Sequence, residues 1–293
     1  MPSLAVMRVL LREVATFRRS VRVNEPDLVM DDPDKVAAYT RAGREDGVMA
    51  PVYLFHCAQI CGLVKPGDRV VDLGCGPATQ LAMVARLNPG AHFTGVDLSS
   101  DMLERARELL EAQQLANVDL KRGDITDLSD FEDDSVDVVF STVALHHLPD
   151  EAALEKTFSE ASRILKSDGG LYLLDFGHLK SEKSIEYFAY QYADRQPELF
   201  TLDYLYSLRA AFPLKVFKKL TRKHFPGRAR VYSTFLMPFM VAVKQERSRV
   251  EVDRSVVEEL RRLKALLPDY HKADLADLRT FFRLGGLKSP LLD

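Results

Sequence analysis

Three acidic residues stand at the ends of three predicted strands in the first half of the chain. Asp72 closes one apolar run, Asp97 ends the next, and Asp124 comes directly after Gly123 at the end of a third. Ligands of open parallel sheets bind beyond the carboxyl ends of the strands. Carboxylates gathered at that edge are strong acceptors for the polar hydrogens of a ligand. The spacing therefore predicts a ligand site built from strand ends.

A glycine turn, Gly74-Cys75-Gly76, follows the first of these strands. Two glycines at this spacing allow a sharp turn and a close approach of the backbone to a ligand. A nicotinamide dinucleotide fingerprint would need a third small residue where Thr79 stands, and Pro77 interrupts the pattern. A P-loop would need Gly-Lys-Ser or Gly-Lys-Thr after the turn, and the sequence has neither there. Both of these nucleotide-binding classes are disfavoured.

Two adjacent histidines, His146 and His147, follow the predicted fourth strand within the segment 141–150. A histidine that titrates near neutral pH is suited to take a proton from an acceptor group. Equally, both rings can hold a loop in place through hydrogen bonds alone. The sequence leaves these two roles open, and it does not distinguish His146 from His147 as the catalytic group.

Alternating strands and helices must position these groups. Helices are expected near 78–87, 100–115 and 151–166, and an apolar helix is expected earlier, from Ala50 to Leu63. Such alternation predicts a parallel sheet with helices on both faces. The strands are expected near residues 69–73, 92–97, 118–122, 136–141 and 170–176.

The glycine turn and the three acidic strand ends, in this order, resemble those of the class I S-adenosylmethionine-dependent methyltransferases. The resemblance covers residues 35–245 and implies an α/β fold with a doubly wound, seven-stranded, mostly parallel sheet. The antiparallel terminal hairpin of that family falls on two predicted strands, Ala229 to Leu236 and Phe239 to Lys244. Helical extensions over residues 1–34 and 246–293 lie outside the shared core.

S-adenosyl-L-methionine is the cofactor that this resemblance implies, with S-adenosyl-L-homocysteine as its product. Asp97 would accept hydrogen bonds from the two ribose hydroxyls, where a charged acceptor makes the stronger bond. The resemblance places Leu98 and Ile125 on the two faces of the adenine, with Met102 beside it. Asp124 would accept a hydrogen bond from the adenine amino group.

The methionine half of the cofactor is expected at the first and fourth strands. The resemblance implies that Gly74 and Gly76 bring backbone against it and that Asp72 holds its ammonium group, directly or through water. Ser141 would lie on the same edge of the sheet. Tyr39 is a candidate lid residue over the cofactor, and an ordinary packing role is an equal alternative.

An insertion over about 178–228, rich in tyrosine and phenylalanine, is expected to form a helical cap over the acceptor. Most of these aromatic side chains should form the core of the cap. We expect Tyr187, Tyr190 and Tyr204 to contact the acceptor, because aromatic surface with a polar tip suits planar or lipophilic molecules. No Asn-Pro-Pro-Tyr or Asp-Pro-Pro-Tyr stretch and no Pro-Cys nucleophile is present, which disfavours methylation of nucleobase or amide nitrogens and of cytosine carbon.

Composition limits the partners. The 293 residues carry a net charge of −3, so the chain as a whole has no attraction for nucleic acid. The basic stretch 215–230 is expected to be a solvated helix face, with RNA or an acidic peptide as the alternative. The three cysteines lack metal-ligand spacing, which predicts reduced thiols, no metal centre and a cytoplasmic protein.

No apolar run in the sequence approaches the ~18 residues that a membrane span needs, and this includes the first thirty residues. They predict an amphipathic helix whose arginines form either a solvated face or a docking face; these are Arg8, Arg12, Arg18 and Arg19. The terminal helices offer a surface for oligomerisation. We expect an enzyme that moves a methyl group to a small organic acceptor by in-line displacement, to oxygen first and to carbon second. A methyltransferase of protein or RNA and a cofactor-binding regulator without turnover are the alternatives.

Overall fold

A seven-stranded sheet in the order β3-β2-β1-β4-β5-β7-β6 forms the centre of the computed structural model. The structure describes residues 4–17, 20–26, 47–248 and 250–293. The predicted lid residue Tyr39 lies outside these residues. The strands are β1 (Arg69–Leu73), β2 (His92–Asp97), β3 (Val118–Arg122), β4 (Val136–Thr142), β5 (Leu165–Phe176), β6 (Arg230–Ser233) and β7 (Met240–Gln245).

The strand directions confirm the predicted fold class. Strands β1 to β5 pair in parallel, and β7 runs antiparallel to both β5 and β6. The chain order reverses direction across the sheet between β1 and β4, which is where an open parallel sheet binds its ligand. Strand β5 begins earlier than predicted, because Leu165 pairs with Val136 ahead of a shift in register.

Helices cover both faces of the sheet, as the alternation predicts. The described α-helices are α1 (Leu4–Ala15), α2 (Ala50–Cys61), α3 (Thr79–Leu87), α4 (Ser100–Ala112), α5 (Glu151–Ile164), α6 (Glu182–Tyr190), α7 (Glu198–Ala210), α8 (Leu214–His224), α9 (Arg254–Leu266) and α10 (Asp269–Leu284). Side-chain caps fix where two of them begin: Ser99 accepts from the backbone of Met102, and Asp150 accepts from the backbone of Ala153. Ser99 follows the end of β2, and Asp150 ends the loop that follows β4, so both caps also set loops that border the site.

The predicted cap insertion divides into two parts. Helices α6 and α7 contact each other and lie beside the carboxyl edge of the sheet, whereas α8 packs on α5, β6 and β7. Helix α8 buries Val216 and Phe217 in the core on that side. Its basic face is solvated and paired with acids, as Lys219 lies near Glu151 and Lys223 bonds Glu155. The structure therefore gives α8 a place in the sheet's own helical layer.

The terminal helices pack on the domain. Helix α10 contacts α2, with the rings of Phe55 and Phe282 stacked at 5.1 Å between centroids, and α1 contacts α6. None of the helices in the described parts of the chain has the length and apolar character that a bilayer span requires. The three cysteines are buried and free of disulfides.

Candidate active site

A cavity of about 330 Å³ lies at the carboxyl ends of β1, β2 and β4. We call it the cofactor cavity. Most of the residues predicted to bind the cofactor line this cavity, as does one of the two histidines. Its lining includes Gly74, Gly76, Asp97, Leu98, Met102, Asp124, Ile125, Val143, Ala144 and His147.

Asp97 holds the glycine turn against the end of β2. One carboxylate oxygen accepts the backbone N–H of Gly76 at 2.7 Å, and the other accepts that of Ser99 at 2.9 Å. Burial raises the pKa of Asp97, while these backbone hydrogen bonds lower it and leave a net rise. Each oxygen keeps a second lone pair, so this carboxylate can accept two further hydrogen bonds from vicinal hydroxyls.

The glycine turn leaves backbone open toward the cavity. Gly74 and Gly76 have φ of +75° and +53°, a region that L side chains rarely adopt. A Cβ added at Gly74 would lie 2.5 Å from the Cβ of Ala144, so only glycine fits there. A Cβ at Gly76 would meet nothing within 4 Å, which shows that this backbone faces open space.

Asp72 is a buried acid with one oxygen, Oδ1, that has no hydrogen-bond partner among the described residues. Burial, and then repulsion from Asp97, raise its pKa well above the ordinary value. A cation beside it would relieve both effects. Asp97 thus fits a ligand with two vicinal hydroxyls, a feature of S-adenosylmethionine. Asp72 does not itself line the cofactor cavity, and its contact with an ammonium group stays a prediction.

Ser141 does not line the cofactor cavity, although its position on the sheet edge suggested a cofactor contact. Its buried hydroxyl donates to the backbone oxygen of Leu73 at 2.6 Å. This bond joins β4 to β1 immediately before the glycine turn. We therefore reassign Ser141 to positioning the turn.

His146 is buried and held by Asp175 at the end of β5. The Asp175 carboxylate accepts the backbone N–H of His146 at 2.7 Å, and its other oxygen lies 2.7 Å from the ring Nδ1. These contacts fix the ring from two sides, as in a loop scaffold. Sequence reasoning missed Asp175, although an acid closing the apolar run of β5 is the same signal that singled out Asp72.

His147 lies at the wall of the cofactor cavity and pairs with Glu25. The ring Nδ1 is 2.7 Å from Oε2 of this buried glutamate, and Ser207 donates to the other oxygen at 2.7 Å. Burial lowers the pKa of His147, but the hydrogen bond and charge of Glu25 outweigh it and raise the pKa to about 9. Burial likewise acts to raise the pKa of Glu25, but the bond and charge of His147 bring it down to about 2.

Residues 20–26, the N-terminal segment, carry Glu25 to this position. The Arg22 guanidinium lies 3.9 Å from the centre of the Phe212 ring. It donates to three backbone oxygens of the loop between β4 and α5, residues 143–150, which we call the histidine loop, and to one backbone oxygen of α7. The acceptors are His146 at 3.1 Å, Leu148 at 2.7 Å, Pro149 at 2.9 Å and Ala210 at 2.6 Å. Nothing local in the sequence marks Arg22 or Glu25, because both act on residues far along the chain.

Glu25, His146 and His147 each offer a ligand atom within 4.8 Å of the others, a spacing that can hold a metal ion. Glu25 and His147 are already in direct contact at 2.7 Å, the distance of a charge-assisted hydrogen bond. Oε1 of Glu25 lies 3.6 Å from Nε2 of His146. We interpret the cluster as an ion pair beside a scaffold histidine.

Val143 has φ of +55°, which is strained for a β-branched residue. It begins the histidine loop, directly after β4, and lines the cofactor cavity. Its backbone N–H bonds the Leu174 oxygen at 3.0 Å, and its side chain is buried. Such strain is concentrated at functional sites, where the surrounding structure holds it in place.

A second cavity of about 140 Å³, the cap cavity, lies under α1, α6 and α7. Tyr204 lines it, whereas Tyr187 and Tyr190 line neither cavity and Tyr190 is exposed. We therefore keep Tyr204 alone as a proposed acceptor contact. The apolar walls come from several elements, among them Val6, Val52, Phe188, Phe200, Met237, Phe239 and Phe281.

A narrow space of about 20 Å³, the neck, lies between the two cavities. It shares Val143 and His147 with the cofactor cavity, and it shares Met49, Phe200 and Tyr204 with the cap cavity. His147 is thus placed where the two spaces approach each other.

Comparison with known proteins agrees with this geometry. Residues 64–201, which hold the glycine turn, the acidic strand ends and both histidines, match the family model described as "Methyltransferase domain". Residues 64–201 are therefore assigned as a methyltransferase domain, and the match together with the fold is consistent with a class I S-adenosylmethionine-dependent methyltransferase.

Curated relatives of this methyltransferase domain include two enzymes of small molecules. The trans-aconitate 2-methyltransferase of Deinococcus radiodurans is 42% identical over 90 residues, covering 31% of this chain and 32% of that protein. The demethylmenaquinone methyltransferase of Listeria welshimeri is 35% identical over 113 residues, covering 38% and 46%. The chain spans less than half the length of these relatives.

A solved structure extends the likeness of the methyltransferase fold to almost the whole chain. The plantazolicin methyltransferase BpumL, solved in complex with S-adenosylhomocysteine, has a TM-score of 0.55 and covers 91% of this chain and 92% of its own. At 17% sequence identity this likeness concerns the fold alone.

Proposed function

We propose that this protein transfers the methyl group of S-adenosylmethionine to an oxygen of a small, largely apolar acceptor, with carbon as the second choice of acceptor atom. The cofactor occupies the cofactor cavity, and the acceptor occupies the cap cavity and the neck. The observation that carries this proposal is the place of His147, which lines both the cofactor cavity and the neck.

The bound sulfonium supplies an already activated methyl group, so the protein's task is to position the acceptor in line with it. Asp97 and Asp72 fix the two halves of the cofactor. The strained Val143 and the fixed ring of His146 hold the loop that carries His147. The apolar side chains around Tyr204 give the acceptor a largely apolar surface to bind.

His147 is protonated at neutral pH, because its pKa is about 9. In that state it is a hydrogen-bond donor. With Nδ1 bonded to Glu25, Nε2 is available to donate to an acceptor oxygen and to favour its anionic form. This role suits acidic hydroxyls, such as phenols, that lose a proton readily. We therefore propose His147 as an orienting and charge-stabilising group, and His146 as its support.

Isothermal titration calorimetry tests the cofactor part of the proposal. We expect binding of S-adenosylhomocysteine and no binding of a nicotinamide dinucleotide. The reverse result would overturn the assignment of the cofactor cavity.

Incubation with radiolabelled S-adenosylmethionine and fractionated cell extract tests the acceptor part. We expect the label in the organic-soluble fraction. The His147→Asn variant should lose incorporation of label but still bind S-adenosylhomocysteine. His92→Asn, a change at an exposed histidine outside the site, is the matched control. If the label instead enters protein or RNA, the acceptor is a macromolecule and the small-molecule proposal is overturned.

A further inference from the structure

Helix α1 has a second apolar face that points away from the domain. Its inward face buries Val9 and contacts α6, as expected for a packing helix. Its outward face carries Met7, Leu11 and Val14, spaced four and three residues apart, so they form one stripe along the helix. Among the described residues nothing covers Leu11, which is 66% exposed.

The stripe continues beyond the end of α1. Phe17 is 98% exposed and Val21 is 81% exposed, in the non-helical chain that follows α1. Large apolar side chains scattered singly on a surface need no explanation, but the three on one face of α1, followed directly by Phe17, mark an interaction site. We call Met7, Leu11, Val14, Phe17 and Val21 the outward stripe.

Basic residues accompany the outward stripe. Arg8 and Arg12 follow Met7 and Leu11 directly in the helix; Arg8 is exposed, and Arg12 is half-buried and donates one hydrogen bond to the backbone oxygen of Lys183 at 2.9 Å. In the helix α1 the sole acid is Glu13, which is buried and accepts from the backbone of Lys180 and Ser181 on the inward side. An apolar face bordered by arginines is typical of helices that lie in the plane of an anionic bilayer surface.

We propose that the outward stripe inserts into a lipid surface rich in anionic headgroups and docks the protein there reversibly. Charge favours this occupant over a second copy of the chain. A two-fold interface would bring the same patch together on both subunits and set its arginines against each other. Anionic headgroups instead pair with the arginines while the apolar side chains enter the acyl boundary.

The position of α1 links this docking to the acceptor. Val6 of α1 lines the cap cavity, so the helix that meets the lipid is also a wall of the apolar space beside the neck. This step rests on the proposed function. It assigns the acceptor to lipophilic molecules that partition into the bilayer and reach the cap cavity along α1.

Vesicle co-sedimentation of the full chain tests the docking. Vesicles of phosphatidylcholine alone are compared with vesicles of phosphatidylcholine and phosphatidylglycerol at a 7:3 ratio. We expect binding to the second set, reduced at least about tenfold by raising the salt from low to high because surface charge attraction is screened. Leu11→Ser/Phe17→Ser should abolish sedimentation, and Arg8→Gln should weaken it.

The matched control is Leu236→Ser/Leu284→Ser, which removes two exposed leucines from another part of the surface and should leave sedimentation unchanged. Failure of the protein to sediment with anionic vesicles would overturn the proposal, as would sedimentation that the stripe variant does not reduce. A dimer in analytical ultracentrifugation that the stripe variant dissociates would show a second copy as the occupant instead. Calorimetry with S-adenosylhomocysteine reports the cofactor site independently, so loss of docking and loss of the proposed enzyme activity are distinguishable.

Discussion

The Glu25 carboxylate contacts the ring of His147 at 2.7 Å, joining the N-terminal segment to the wall of the cofactor cavity. Each partner stabilises the charged form of the other. The pKa of His147 is therefore raised to about 9, and that of Glu25 is lowered to about 2. This ion pair sets the charge of the loop that borders both the cofactor cavity and the neck.

Glu25→Gln should return His147 to its neutral form at physiological pH. Without the carboxylate, burial is the main remaining influence and it lowers the pKa of His147, so the midpoint should fall to about 6.5 or less. Titration of the histidine ring by heteronuclear NMR measures this midpoint directly.

Ser207→Ala is the control for that titration, because it removes one hydrogen bond to Glu25 and leaves the charge in place. It should keep the midpoint of His147 well above that of the Glu25→Gln variant. An unchanged midpoint in Glu25→Gln would contradict the ion pair.

The same pair predicts a pH window of stability. His147 has a raised pKa, so its contribution is complete below its ordinary value of 6.5 and is lost as the pH rises through about 9. Glu25 has a lowered pKa, so its contribution is complete above 4.5 and is lost as the pH falls through about 2. The natural protein should therefore have a higher free energy of unfolding than Glu25→Gln/His147→Gln. This difference should be largest between pH 4.5 and pH 6.5, where it should be on the order of 1–3 kcal/mol.

Urea unfolding across the pH range supplies that difference curve. The exposed pair Arg254 and Glu258 is the comparison, and its double replacement by Gln should give a small difference throughout. A flat curve for the buried pair as well would refute the window.

Asp72→Asn should stabilise the free protein and weaken its binding of cofactor. Burial raises the pKa of Asp72, so its charged form costs folding free energy that the amide does not. The amide also loses the charge that would hold an ammonium group. Thermal unfolding with and without S-adenosylhomocysteine should show a higher Tm for the free variant and a smaller shift on adding ligand.

Asp137→Asn provides the opposite case for that experiment. Burial acts to raise the pKa of Asp137, but hydrogen bonds from Lys166 and the backbone of Arg69, with the Lys166 charge, give a net lowering. Its replacement should reduce the Tm and leave the ligand-induced shift intact. If the ligand-free Asp72→Asn variant is less stable than the natural protein, burial does not destabilise the charged form of Asp72 as proposed.

Asp97→Ala should weaken binding of S-adenosylhomocysteine at least about tenfold. Hydrogen bonds to a charged group contribute about 1.5–3 kcal/mol, and Asp97 offers two oxygens at the cavity wall. Calorimetry measures the affinity, and circular dichroism confirms that the variant is folded. Asp101→Ala, in the first turn of α4, is the neighbouring control and should bind normally. Equal affinities for the two variants would contradict the prediction that Asp97 binds the ribose hydroxyls.

Ser141→Ala should lower stability without changing cofactor affinity. The lost hydrogen bond to the Leu73 oxygen leaves a buried acceptor unpaired, at a cost of about 1–3 kcal/mol. Chemical denaturation and calorimetry separate the two effects. A large loss of affinity with normal stability would restore Ser141 as a direct cofactor contact.

The sheet and the acidic residues at its carboxyl edge could be predicted because the sequence features that mark them are local. Each acidic strand end lies within a few residues of the apolar run or glycine that marks it, as with Asp72 and Asp97. The same locality explains the confirmed fold class, since hydrophobic periodicity and turn residues suffice to place strands and helices in order.

Contacts between distant parts of the chain were beyond such signals. Glu25 and Arg22 stand in a polar stretch without periodicity, and their importance arises only when that stretch meets the histidine loop. Ser141 shows the converse limit, since its place on the correct edge did not reveal that its hydroxyl turns to a neighbouring strand. Position along a strand is local information, whereas the direction of a side chain is set by packing.

The N-terminal segment has a consequence for how such chains diversify. Glu25 and Arg22 lie outside residues 64–201, the part that matches the methyltransferase family. Exchange of residues 20–26 would therefore alter the protonation of His147 while leaving the strand ends that line the cofactor cavity unchanged. The charge at this edge of the sheet can therefore change through a segment outside the matched domain, with no change in the domain itself.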